Sequence, residues 1–233
     1  MKNLLAIPCL MLLLAACGGT STEEEGTGEQ NSIATVQSEL DVAVCGFGCS
    51  SLTGYVPTAY RCYGGCGDCP STGDTYTAAT GTGCTPSSAA TYRACGLDAH
   101  PTVGRYAAAY LVDRYCDAVY PSSLGTIPNK TEYRTLPGPD STFSVCSIGC
   151  PAGYTPTGYT ASSGCSPTGT TPSQKTSTSC VQAGTYYKWT ICGTDTDGCP
   201  TGYTVGSRSH TTTCEKPGDS TTGNNSIVCN YVP

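Results

Sequence analysis

The sequence predicts a small disulfide-rich fold, mostly β with much irregular structure, arranged as four tandem units of about 50 residues. Three observations point there. Cysteine is abundant, at 18 of 233 residues, and its spacings recur along the chain. Large apolar residues are scarce. Beyond tyrosine, the big aromatics are Phe47, Phe143 and Trp189, while Gly, Thr, Ser, Tyr and Pro dominate. A chain like this cannot bury one large core, and small exported domains in that position rely on cross-links instead.

The chain opens Met1-Lys2-Asn3 and runs apolar from Leu4 to Ala16. A basic start, a short apolar stretch and small residues have the form of a secretory signal peptide. The run is too short for a comfortable membrane span. It ends at Leu14-Ala15-Ala16-Cys17-Gly18, which resembles the lipobox of bacterial lipoproteins. The resemblance implies a signal peptide over 1–16, cleavage after Ala16 and a lipidated Cys17 as the first mature residue. A diacylated cysteine carries the two chains that stable anchoring requires. Cys9 would leave with the signal. Gly18 stands where an Asp would resemble an inner-membrane retention signal, so the expected location is the outer membrane or cell surface, lipid-anchored. Residues 17–40 are Gly, Ser, Thr and Gln with the acidic run Glu23-Glu24-Glu25. That composition predicts a flexible, self-repelling tether.

Setting Cys9 and Cys17 aside leaves sixteen cysteines, an even number that predicts disulfides in an exported chain. Internal repetition orders them. Cys150-Pro-Ala-Gly-Tyr-Thr is followed by Cys165 and Cys180, and Cys199-Pro-Thr-Gly-Tyr-Thr by Cys214 and Cys229, with every step 15 residues. A short β-like run ending in cysteine recurs at Cys45, Cys95, Cys146 and Cys192, spaced by 50, 51 and 46 residues. These lead cysteines place repeat 1 at 41–91, repeat 2 at 92–142, repeat 3 at 143–188 and repeat 4 at 189–233.

The second repeat has only Cys95 and Cys116, separated by 21 residues like Cys45 and Cys66. It keeps the first and third cysteines and lacks the second and fourth. His100-Pro101-Thr102 stands where Cys199-Pro200-Thr201 stands in repeat 4. A lone thiol is a liability in an oxidising compartment, so cysteines should disappear in bonded pairs. First therefore bonds third, and second bonds fourth. The predicted bridges are Cys45–Cys66, Cys49–Cys84, Cys62–Cys69, Cys95–Cys116, Cys146–Cys165, Cys150–Cys180, Cys192–Cys214 and Cys199–Cys229. The longer loops should each contribute about 3–4 kcal/mol by the chain-entropy argument.

Short Val, Ile, Tyr and Thr runs between Gly, Pro and Ser clusters read as strands and turns. Tyr55, Tyr154 and Tyr203, each after a glycine, either pack over a disulfide or face solvent. The stretch 104–120 suits a helix by its alanines and flanking Pro101 and Pro121. It suits a strand by alternation of Tyr106, Ala108, Tyr110, Val112 and Cys116 on one face, and its place in the repeat favours the strand.

Motifs that resemble chemistry are few. Cys62-x3-Cys66-x2-Cys69 has the spacing of a radical-SAM cluster motif, but that family needs a far longer barrel and a reducing cytosol. Cys66-Gly-Asp-Cys69 lacks the βαβ setting of a redox C-x-x-C. Asp195-x-Asp197-Gly198 lacks the continuation of a calcium loop. No catalytic residue, cofactor or metal is expected. A pI near 4.7 argues against nucleic acid. The expected role is a structural or adhesive surface module; the alternatives are a specific binding module, for a glycan or peptide or as a protease inhibitor, and last an enzyme, which would need a pocket gathering distant polar residues. Repeat 1 departs from the pattern by its extra Cys62–Cys69 pair, and Tyr60, Arg61 and Tyr63 are its candidate binding residues, expected to be exposed.

Overall fold

The computed structural model describes residues 42–69, 78–122, 125–170, 172–193, 197–219 and 222–233. The signal segment, Cys17, the tether and Asp195 lie outside them. Among the described residues, twelve strands form four three-stranded antiparallel sheets, one in each unit. The first holds β1 (Val42–Cys45), β2 (Tyr55–Arg61) and β3 (Gly81–Pro86). The second holds β4 (Thr91–Cys95), β5 (Arg105–Leu111) and β6 (Lys130–Thr135). The third holds β7 (Thr142–Val145), β8 (Thr155–Thr160) and β9 (Ser177–Val181). The fourth holds β10 (Lys188–Cys192), β11 (Tyr203–Ser209) and β12 (Ser226–Tyr231). The third strand of each unit in chain order lies in the centre. The opening strands β4, β7 and β10 begin one residue ahead of the boundaries drawn from sequence. No helix among the described residues is long and apolar enough to cross a membrane.

Disulfides explain how so little apolar material holds these sheets. The lead cysteine closes or follows the opening strand, and the third closes a one-turn 3-10 helix: Gly64–Cys66, Arg114–Cys116, Ser163–Cys165 or Thr212–Cys214. The bridges are Cys45–Cys66, Cys49–Cys84, Cys62–Cys69, Cys95–Cys116, Cys146–Cys165, Cys150–Cys180, Cys192–Cys214 and Cys199–Cys229, the same pairs that the repeats imply. Cys84, Cys180 and Cys229 sit on the central strands and are fully buried. Tyr55 packs against the Cys49–Cys84 cluster and Tyr203 against the cluster holding Cys199 and Cys229. Tyr154 instead meets Phe143 edge-on and donates to the Pro137 carbonyl at 2.5 Å.

A one-residue β-bulge interrupts the second strand of every unit, between Pro57 and Ala59, Ala107 and Ala109, Pro156 and Gly158, and Val205 and Arg208. Proline is tolerated here because these are edge strands at a bulge. The segment 105–111 is a strand, but the bulge overturns its predicted one-face alternation. Tyr106 pairs with Arg134 and Tyr110 with Thr131, so the two rings leave opposite faces.

The second unit lacks the second–fourth bridge, and tyrosines stand in for it. By register Tyr133 occupies the place of Cys84, since Tyr133 pairs with Tyr92 as Cys84 pairs with Val42. The Tyr92 hydroxyl donates to the His100 carbonyl at 2.9 Å, and the His100 amide donates to the Tyr133 hydroxyl at 3.3 Å. The loop that a cysteine would tie is thus held by two phenols. Burial lowers the His100 pKa, which favours its neutral imidazole.

Consecutive units pack edge to edge. The residue after each bulge reaches the next unit's first–third bridge. Tyr60, 3% exposed, packs on Cys95 and Cys116. Tyr110 donates to the Cys146 carbonyl at 3.0 Å, and Tyr159 packs on Cys192 and Cys214. Arg208 holds the equivalent place in the fourth unit and donates to the Asp197 carbonyl. Backbone contact adds to this where the Cys146 amide donates to the bulge carbonyl of Ala107 at 2.8 Å.

Candidate functional site

The first and second units enclose a groove of about 600 Å³, lined among others by Thr58, Arg61, Tyr63, Gly83, Arg93 and Lys130. That volume lies in the range of small-ligand sites. Two of the three residues singled out from sequence, Arg61 and Tyr63, line it. Tyr60 does not. It was expected to be exposed and is buried, because the bulge at Thr58 turns it onto the second unit's disulfide.

Local sequence builds the first wall. Tyr63 precedes the 3-10 turn Gly64–Cys66, and Thr80 fixes its backbone: the Tyr63 amide donates to Thr80 Oγ1 at 3.0 Å, and that hydroxyl donates to the Tyr63 carbonyl at 3.2 Å. The neighbouring Cys62–Cys69 bridge holds the same segment. The ring lies close against β3. A Cβ at Gly81 would come within 2.8 Å of Tyr63 Cδ2, and one at Gly83 within 3.0 Å of its hydroxyl. The central strands of the other units carry Lys130 and Glu132, Ser177 and Ser179, or Ser226 and Val228 at these places. The first unit therefore clears its strand of side chains where the tyrosine rests.

The second wall is charged. Glu132 is buried, and its carboxylate accepts from Arg93 on β4 and Arg134 on its own strand, at 2.9 and 2.7 Å. Burial alone would raise the Glu132 pKa, but hydrogen bonds from Arg134 and Arg93 outweigh it and hold the group below its ordinary value. Lys130, also buried, donates to Asp113 Oδ2 at 2.6 Å and across the junction to the Thr58 carbonyl at 2.8 Å. Arg61 lies over the Tyr115 ring, 4.0 Å from its centroid. Among the described residues Arg61 makes no salt bridge with a carboxylate. The arrangement can orient a ligand by an aromatic face, hydroxyls and one available guanidinium.

The remaining motifs have structural partners. Cys66 bonds Cys45 and Cys69 bonds Cys62, so Cys66-Gly-Asp-Cys69 is not a bonded pair. Asp197 accepts from Arg208 through its carbonyl. The charged wall from Arg93 to Arg134 carried one readable signal: charge at central-strand positions where the other repeats have small or apolar residues. No protein-family model, curated protein or solved structure matches this chain.

Proposed function

We propose that the chain is an exported lipoprotein, anchored at the outer membrane or cell surface through Cys17, whose stapled units form a structural or adhesive module. The cysteine distribution supports this most directly. All sixteen cysteines from Cys45 onward are in bridges, which leaves Cys9 in the apolar leader and Cys17 at the lipobox. Eight bridges favour an oxidising compartment. Repeated packing of a tyrosine on the next unit's bridge favours a protease-resistant body carried away from the membrane on a tether. Metabolic labelling with an alkyne fatty acid tests the anchor. The label should enter the full chain and be lost, with release from the membrane fraction, in Cys17→Ala. Labelling that survives Cys17→Ala would overturn the anchor. Adhesion is tested separately, with cells displaying the chain on immobilised surface polymers.

A second reading, a specific binding module, is favoured by the groove between the first two units, where Tyr63 and Arg61 face a charged wall.

A further inference from the structure

We infer that this groove is a glycan site for an acidic polysaccharide, with Tyr63 as the stacking platform and Arg61 as the ligand of an anionic sugar substituent. The inference deepens the binding-module reading and rests on it.

Four observations lead to the ligand class. The Tyr63 ring is fixed in place by Thr80, by the flanking Cys62–Cys69 bridge and by a strand cleared at Gly81 and Gly83. A rigid flat ring loses little entropy when a sugar face stacks on it. The lining then supplies the exposed hydroxyl of Thr91, while the Thr58 hydroxyl donates to the Gly83 carbonyl and accepts from Thr85, so it meets a polyol as an acceptor. Lys130 is committed to Asp113 and Arg93 to Glu132, while Arg61 has no carboxylate partner among the described residues. Its stacking on Tyr115 orients the guanidinium, which suits recognition of a carboxylate or sulfate. The groove's aliphatic residues are small, Val42, Ala43 and Ala59, and offer no deep pocket for a peptide's apolar anchor. Of the first sheet's two edge strands, β2 packs against β4, which hinders a peptide from adding to it as a further strand. A carbohydrate chain therefore fits better than a peptide.

The test uses the full chain in detergent. Immobilised polygalacturonate, alginate and dextran sulfate are each compared with a neutral counterpart: methyl-esterified polygalacturonate, carboxyl-reduced alginate and plain dextran. Binding to at least one acidic polymer is expected, about tenfold or more above its counterpart, as suits one charge-assisted bond. The carboxylated and sulfated arms identify which anion is read. Arg61→Gln should erase the acidic preference while Arg61→Lys keeps part of it. Tyr63→Ala should abolish binding while Tyr63→Phe retains it, with intact disulfide maps showing that the variants fold. Lys188→Gln, an exposed cation of the fourth unit, should change nothing. Equal binding of acidic and neutral polymers, unchanged preference in Arg61→Gln, or binding of a random peptide library with no glycan would each overturn the inference. Binding in solution without adhesion of displaying cells would leave the glycan site standing and remove the adhesive role.

Discussion

The ring of Tyr133 lies 5.0 Å from that of Tyr92, with their planes 24° apart, at the register position where the other three units place a bonded cysteine. The stack and its two hydrogen bonds to His100 do what a covalent bridge does in the neighbouring units. Tyr133→Ala should therefore cost about 3–5 kcal/mol, as for other large-to-small changes of buried aromatics. Tyr133→Phe, which keeps the ring stack and loses the acceptor for the His100 amide, should cost about 1 kcal/mol. Denaturant unfolding under oxidising conditions measures the first, and hydrogen exchange at the His100 amide the second. An exchange rate unchanged in Tyr133→Phe would show that the hydroxyl does not hold the loop.

Partial reduction should open the bridges in order of cover. Cys95 and Cys116 are both fully buried beneath Tyr60, whereas Cys45, Cys66, Cys62 and Cys69 are all partly exposed. No preceding described unit supplies a tyrosine over Cys45–Cys66. Brief treatment with a phosphine followed by alkylation and mass mapping should label Cys45, Cys62, Cys66 and Cys69 first. Cys95 and Cys116 should be labelled last, and earlier in Tyr60→Ala.

Alkaline pH should weaken the fold over a defined window. Burial pushes the Tyr60 phenol to about 12, helped by Tyr120, and that of Tyr133 to about 12. Unfolded tyrosine ionises near 10. The folded state thus holds these protons more tightly. The resulting stabilisation is complete below pH 10 and is lost between pH 10 and 12. Absorbance at phenolate wavelengths should show a delayed group of tyrosines whose ionisation coincides with loss of tertiary circular dichroism. In Tyr133→Phe the delayed amplitude should fall.

Acid should act through Glu132. Its folded pKa is lowered, so its contribution is present above the ordinary carboxylate pKa and is lost as pH falls through the depressed value. Glu132→Gln should destabilise the second unit at neutral pH by about 1–3 kcal/mol, the range for hydrogen bonds to charged groups. It should also flatten the acid limb of the stability profile. A variant with an unaltered acid limb would place the acid-sensitive group elsewhere.

Much of this architecture was readable because cysteine is a discrete marker. The paired absence of two cysteines in the second unit carries the connectivity, and lead cysteines mark the opening strands. What replaces the missing bridge was not readable, since nothing in the order of Tyr92 and Tyr133 says that they stack across β4 and β6. Tyr60 shows a second limit. Beside Arg61 and Tyr63 it reads as surface, but a bulge inserts one residue and reverses the side chains beyond it. Its partner, the Cys95–Cys116 bridge, belongs to another unit, so no local pattern predicts the contact. Tyr63 was legible as an oddity of the first repeat. Its glycine bed at Gly81 and Gly83 explains that oddity only once β3 is seen beneath the ring.

Arg208 stands where Tyr60, Tyr110 and Tyr159 reach forward to the following unit. For anyone lengthening the protein by design, this makes the units unequal as building blocks. A copy of the third unit carries its own connector and can be inserted in series. A copy of the fourth presents a cation to the bridge it should cover, and needs Arg208→Tyr before it can join.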